Sequence, residues 1–259
     1  MGEGTVGVDL RYAQGVLVGD HNLQINVFRR APTGRPWMVP MAPGPLVDRP
    51  ALREAVLAGL REAAVTTVEG VGGFGKTTLA AQACSDGWVD ERFPGGLLWV
   101  TVRERSRGPR LSELVSGLCE ILAGEPLTTA DPLVAGGRLG SLLDARPPTL
   151  LVLDDVWRSE QLAPFLIGGT AARRLITTRI AGLAPRTGRS VLVDAMTDDQ
   201  AGAVLTADLD DVPHALLSPL LAATGGWPLL LGLVNATLVE QLAAGASVRS
   251  AVSWVLARI

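Results

Sequence analysis

Gly70-Val-Gly-Gly-Phe-Gly-Lys-Thr-Thr78 holds residue types whose spacing suits one kind of chemistry, the binding of phosphate. Gly70, Gly75, Lys76 and Thr77 fill the pattern G-x-x-x-x-G-K-[ST], in which backbone N–H groups wrap around phosphate oxygens. Val71, Gly72, Gly73 and Phe74 complete the loop, and the paired glycines let a ligand approach backbone without meeting a side chain. Lys76 would reach the β- and γ-phosphates, and the Thr77 hydroxyl would ligate Mg²⁺. Thr78 would sit in the first turn of the next helix, at its positive end. A plain glycine-rich turn is the alternative. Composition weighs against it, because Lys76 is the only lysine in 259 residues. The chain uses arginine for every other fixed cation, and a compact ammonium does here what a planar guanidinium would not.

Two further features, one acidic and one basic, could join this loop. Thr149-Leu-Leu-Val-Leu-Asp-Asp-Val-Trp157 is an apolar run that ends in two carboxylates. Such a run reads as a strand buried on both faces. In open α/β sheets ligands bind beyond the carboxyl ends of the strands, so Asp154 and Asp155 should arrive beside the loop. Asp154 would hold Mg²⁺, directly or through water, and Asp155 would orient or deprotonate an attacking water. A solvated Asp-Asp turn is the bland reading. Arg173-Arg-Leu-Ile-Thr-Thr-Arg179 is a further strand that places Arg179 where it could sense a γ-phosphate, with Arg173 and Arg174 capping the strand start in solvent.

The remaining elements must position these groups. Val65 to Val68 is the strand ahead of the loop, Leu97 to Val102 another, and Ser190 to Asp194 closes the sheet. A helix begins near Pro50, with Leu52, Ala55, Val56, Gly59 and Leu60 on its apolar face. Gly87 to Gly96 reads as a connection, and helical spacing recurs over Leu111–Leu122 and Leu133–Leu143. After Thr197, whose Thr-Asp-Asp-Gln200 is a capping box, only helices are expected: 198–207, 214–223, 228–243 and 248–259. The fold class is therefore α/β, a parallel P-loop sheet flanked by helices and followed by a small helical domain.

Four segments follow: a β-type segment at 1–30, a Pro-rich linker at 31–45, a nucleotide-binding domain at 46–195 and a helical domain at 196–259. The linker carries Pro32, Pro36, Pro40, Pro43 and Pro45 and reads as a semi-rigid spacer. With 47% hydrophobic residues the chain can bury a core, and a formal net charge of −3 disfavours nucleic acid as the main partner. Cys84 and Cys119 read as core thiols of a reducing compartment. No secretory signal or membrane span is visible, so the expected location is the cytoplasm. His21 and His214 lack metal-ligand spacing, and no Ser/Cys–His nucleophile constellation is present.

The ordered set Leu46-Val-Asp-Arg49, Gly70–Thr78, Leu150–Trp157, Leu175–Arg179 and Gly226-Trp-Pro-Leu229 resembles the NB-ARC domain of STAND P-loop ATPases. That class includes plant resistance proteins and apoptosome-forming proteins. The resemblance implies an adenine nucleotide, ATP or ADP, with Pro228 against the base and Arg49 nearby, and no Asn-Lys-x-Asp or Thr-Lys-x-Asp guanine-reading motif is found. Asp48 stands where the family has Gly. Trp227 stands where it has Leu, so the adenine pocket is expected to be lined differently. The resemblance also implies a winged-helix domain after Ile259, and the chain reads as an N-terminal fragment.

Val16-x-Val18-Gly19-x-x-Asn22-x-Gln24-Ile25 resembles RIP homotypic interaction motifs, which stack into cross-β assemblies; an ordinary hairpin is the alternative. The expected function is a signalling switch, off with ADP and on with ATP, that hydrolyses ATP slowly, self-assembles and engages an effector through its N-terminal segment. A nucleotide-stabilised scaffold without turnover is the alternative. A DNA-binding regulator using Arg103, Arg105, Arg107 and Arg110 is a third reading.

Overall fold

The computed structural model describes residues 34–41, 47–183, 185, 187–209 and 212–259. The N-terminal expectations over residues 1–30, and Leu46 of the Leu46–Arg49 motif, lie outside these.

Five parallel strands form one sheet: β1 (Val65–Glu69), β2 (Gly96–Thr101), β3 (Thr149–Val156), β4 (Arg173–Thr178) and β5 (Arg189–Leu192). Their spatial order is β2-β3-β4-β1-β5. Strand β4 therefore separates the P-loop strand β1 from the carboxylate strand β3. Leu150, Leu151, Val152 and Leu153 are wholly buried, as an apolar run covered on both faces requires. Helices α1 (Pro50–Glu62), α2 (Lys76–Cys84), α3 (Gly87–Arg92), α4 (Gly108–Ala123), α5 (Pro132–Asp144) and the short α6 (Ser159–Leu162) belong to this unit. Val56, Leu57 and Leu60 of α1 share the sheet's core with Leu79 of α2, and both cysteine thiols are buried and free.

A separate apolar cluster forms among α7 (Asp198–Leu205), α8 (His214–Thr224), α9 (Pro228–Ala243) and α10 (Val248–Leu256), centred on Leu205, Leu220 and Leu231. The Thr197–Gln200 capping box forms at the start of α7, and Gly225 in a left-handed conformation ends α8.

Three local expectations differ from the structure. The Gly87–Gly96 connection contains α3, because the Asp86 carboxylate accepts the Trp88 N–H and caps a helical turn. Of the Pro-rich stretch, whose residues 31–33 and 42–45 lie outside the described ones, Pro36–Met38 docks rather than merely spacing: Leu97 N–H donates to the Pro36 carbonyl and Met38 N–H to the Leu97 carbonyl, extending the β2 edge by one bridge. Arg35 fastens it further, donating to Asp90 and stacking 4.4 Å over Trp37. Arg174 is no solvated cap. It is 4% exposed, and its guanidinium donates to the carbonyls of Phe165, Gly168, Gly169 and Ala172. A rigid fork of five donors can hold a whole loop this way.

Candidate nucleotide-binding site

The loop between β1 and α2 lies at the carboxyl end of the sheet. Lys76 is 8% exposed, and its Nζ donates to the Val71 carbonyl at 2.8 Å. Burial, and secondarily the charge of Arg179, push the ammonium pKa down, while Asp155 and Asp154 oppose the shift. The ammonium is thus folded back onto its own loop, within reach of any anion that the loop takes up.

Asp154 gathers hydroxyls from helix α2 and from the two strands β4 and β2. Its Oδ1 accepts from Thr77 Oγ1 and from Thr177 Oγ1, each at 2.7 Å, and Thr101 Oγ1 lies 3.4 Å from Oδ2. The carboxyl is 5% exposed, and burial pushes its pKa up while the Thr177 and Thr77 hydroxyls pull it back. Sequence reading missed Thr177. Its hydroxyl also accepts the Asp155 N–H at 2.9 Å, so one side chain on β4 pins both aspartates of β3. A period-two alternation in Leu-Ile-Thr-Thr would have put it on the Asp154 side, but only the strand order shows β4 lying beside β3.

Asp155 leaves the ladder at a register shift between Leu153 and Val156 and takes a left-handed φ of 54°, uncommon for a non-glycine residue. Arg179 Nε lies 3.6 Å from its Oδ1, and the guanidinium stacks 5.0 Å over Trp157. Arg179 also overhangs the loop, since a Cβ on Gly72 would fall 2.7 Å from its Nη1. Lys76, Thr77, Asp154, Asp155 and Arg179 therefore converge on one edge.

On the other side of the loop a cleft of about 310 Å³ is lined by Arg49, Phe74, Gly75 and Thr78 from the sheet unit and by Met196, Pro228 and Asn235 from the helical unit, among others. Arg49 is buried by its own contacts: it donates to the carbonyls of Phe74, Asp194 and Ala195 and so ties the loop to the segment leading into α7. Burial lowers its pKa, and Asp194 partly offsets this. Trp227 is not among the residues that line this cleft. Its indole lies on the loop, with Nε1 donating to the Gly72 carbonyl at 3.1 Å, and Leu229 N–H donates to the Gly73 carbonyl at 3.1 Å. Gly73 has φ 78°, and a Cβ there would meet Trp227 Nε1 at 2.6 Å, so both backbone and contact require glycine.

The donor set fits the groups that the motifs imply. Thr77 and Asp154 offer hard oxygens already 2.7 Å apart, which suits Mg²⁺. Among the described residues no cluster of three or more His, Cys, Asp or Glu side chains could hold a metal, so the ion would depend on phosphate oxygens and water for its other ligands.

The NB-ARC domain family matches residues 52–206. The chain belongs to this family. It is 35% identical over 150 residues to human apoptotic protease-activating factor 1, covering 54% of this chain and 12% of that protein. It is also 35% identical over 123 residues to the disease resistance protein RGA2 of Solanum bulbocastanum, covering 45% of this chain and 12% of the relative. Both relatives are far longer than this chain. Among solved structures, a STAND protein with a tetratricopeptide repeat sensor from Pyrococcus horikoshii superposes with a TM-score of 0.53 at 18% identity, over 79% of this chain and 32% of that one. That likeness concerns the fold. The chain is thus an NB-ARC domain whose fold is shared with a STAND ATPase. No helix among the described residues is long and apolar enough to cross a membrane.

Proposed function

We propose that this NB-ARC chain is an adenine-nucleotide switch, held closed by ADP and opened by ATP, that hydrolyses ATP slowly and self-assembles when open. The observation that carries this reading is the pair of hydrogen bonds by which Trp227 and Leu229 of the helical unit grip the Gly72 and Gly73 carbonyls. The helical unit rests on the very loop that would wrap the phosphates, so a change of occupant changes its footing. A nucleotide can shift such an equilibrium only by binding one form better than the other.

In this reading Lys76 leaves the Val71 carbonyl for the β- and γ-phosphates, and the N–H groups from Gly70 to Thr78 cradle the phosphate chain. Thr77 and Asp154 would hold Mg²⁺, which when bound neutralises charge on the phosphate oxygens. Asp155 orients the attacking water and accepts its proton, while Arg179 meets the γ-phosphate. Pro228 packs on the base and Arg49 braces the loop beside it. The partners are adenine nucleotide, further copies of the chain and an effector met through the N-terminal segment, and the location is the cytoplasm. Nucleic acid is not a partner in this reading.

A second reading, a nucleotide-stabilised scaffold with negligible turnover, is favoured by one contact: Arg179 lies against Asp155 and competes with water for the base. Two measurements test the proposal. Freshly purified protein is denatured and its released nucleotide identified by chromatography, with stoichiometric ADP expected. Steady-state phosphate release then separates switch from scaffold. A site that retains no nucleotide and binds neither ADP nor ATP in titration overturns both.

A further inference from the structure

We propose that Asn235 reads the 6-position of the purine ring, accepting a hydrogen bond from the adenine amino group. This rests on the adenine-nucleotide reading of the cleft. Asn235 lies seven residues after Pro228 on α9, hence on the same helix face and about 10 Å further along the axis. Both residues line the cleft beside the phosphate loop. With Pro228 against the face of a base, a group displaced along the helix by this distance meets its edge.

The orientation of the Asn235 amide is fixed by its neighbours. Nδ2 donates to the Leu205 carbonyl at 3.0 Å and to the Ala207 carbonyl at 2.5 Å, both at the end of α7. Carbonyls only accept, so the nitrogen must face them and the amide cannot flip. Both N–H groups are then used. Oδ1, on the other arm of the amide, is given no protein donor among the described residues, and the residue that carries it lines the cleft, so it is an acceptor held in place by the Nδ2 contacts. The Leu205 carbonyl is one that the end of α7 leaves without an intrahelical partner, and Ala207 follows just beyond it, so the same contacts also tie α7 to α9.

A fixed acceptor discriminates by chemistry. Adenine presents an N–H donor at position 6, whereas guanine and hypoxanthine present a carbonyl oxygen. Acceptor facing acceptor leaves two polar groups unsatisfied, a stronger penalty than the simple loss of a hydrogen bond.

The test is a binding series on the whole chain with ADP, inosine diphosphate and purine-riboside diphosphate, which lacks any 6-substituent. Wild type should bind ADP about tenfold more tightly than the purine-riboside compound, and roughly tenfold to a hundredfold more tightly than inosine diphosphate. Asn235→Ala, checked for folding by thermal melting, should bind all three within about threefold of one another. The wild-type series stands even if that variant fails to fold. Equal wild-type affinity for all three overturns the role of Asn235 while leaving the nucleotide site intact. Failure of all three to bind overturns that reading together with it.

Discussion

The phosphate end and the base end of the candidate site are built on different principles. At the phosphate end, Lys76 and Thr77 open α2 while Asp154, Thr177 and Arg179 stand at the carboxyl ends of β3 and β4, and each is already engaged by a neighbour a few ångströms away. At the base end, Arg49 and Phe74 of one unit face Pro228 and Asn235 of another, across a cleft that exists only while the two units touch. In the proposed reading the first is a preorganised anion cradle. The second is an interface, and interfaces can open. The contrast suggests that affinity resides mainly in the sheet and regulation mainly in the contact.

Breaking the phosphate end should have the largest effect. Lys76→Ala removes the only ammonium in the loop and should weaken ADP and ATP by roughly a hundredfold or more in calorimetric titration, with the helical unit still folded. Asp155→Ala should leave nucleotide affinity nearly unchanged while lowering phosphate release by at least about a hundredfold, as expected for loss of a positioned base. Equal loss of binding in both variants would contradict this division of roles.

Breaking the contact should have intermediate consequences. Trp227→Phe keeps an aromatic ring on the loop but removes the donor to Gly72, a loss of about 1 kcal/mol. ADP should then dissociate roughly fivefold faster, measured with a fluorescent ADP analogue, with little change in the melting temperature of the sheet unit.

The smallest effect concerns Asp154, whose burial holds its carboxyl above the usual range. A carboxyl with a raised folded pKa keeps its proton longer in the native chain than in the unfolded one. Nucleotide-free protein therefore gains most from this group below the ordinary carboxylate pKa of about 3.9, and loses that gain as pH rises through the raised value. Asp154→Asn removes the buried charge. Its nucleotide-free form should melt at the same temperature as wild type or about 2–4 °C higher at neutral pH, with a flatter pH profile and no response to Mg²⁺ with ATP.

Much of this was legible in the amino-acid sequence. Helix α9 occupies the expected residues, Pro228 to Ala243, because Gly226-Trp-Pro sets its start and a leucine-rich run sustains it through Gly232. Strand β3 and its terminal aspartates were equally plain, since an unbroken apolar run has few other destinations. The loop residues needed only local spacing, because a phosphate cradle is made by consecutive backbone N–H groups.

What the sequence could not contain is which surfaces meet. Arg174 has the same composition signal as a solvated strand cap, and only the fold brings four carbonyls to its guanidinium. The Pro36–Met38 stretch looks like a spacer until the open edge of β2 offers it hydrogen bonds. Trp227 and Asn235 lie 155 and 30 residues from the carbonyls of Gly72 and Leu205 that orient them. Periodicity and motif spacing report interactions within a few residues, and they determined the sheet, the loop and the helices. The seating of the helical unit on that loop was decided by contacts between distant segments, which only the tertiary structure brings together.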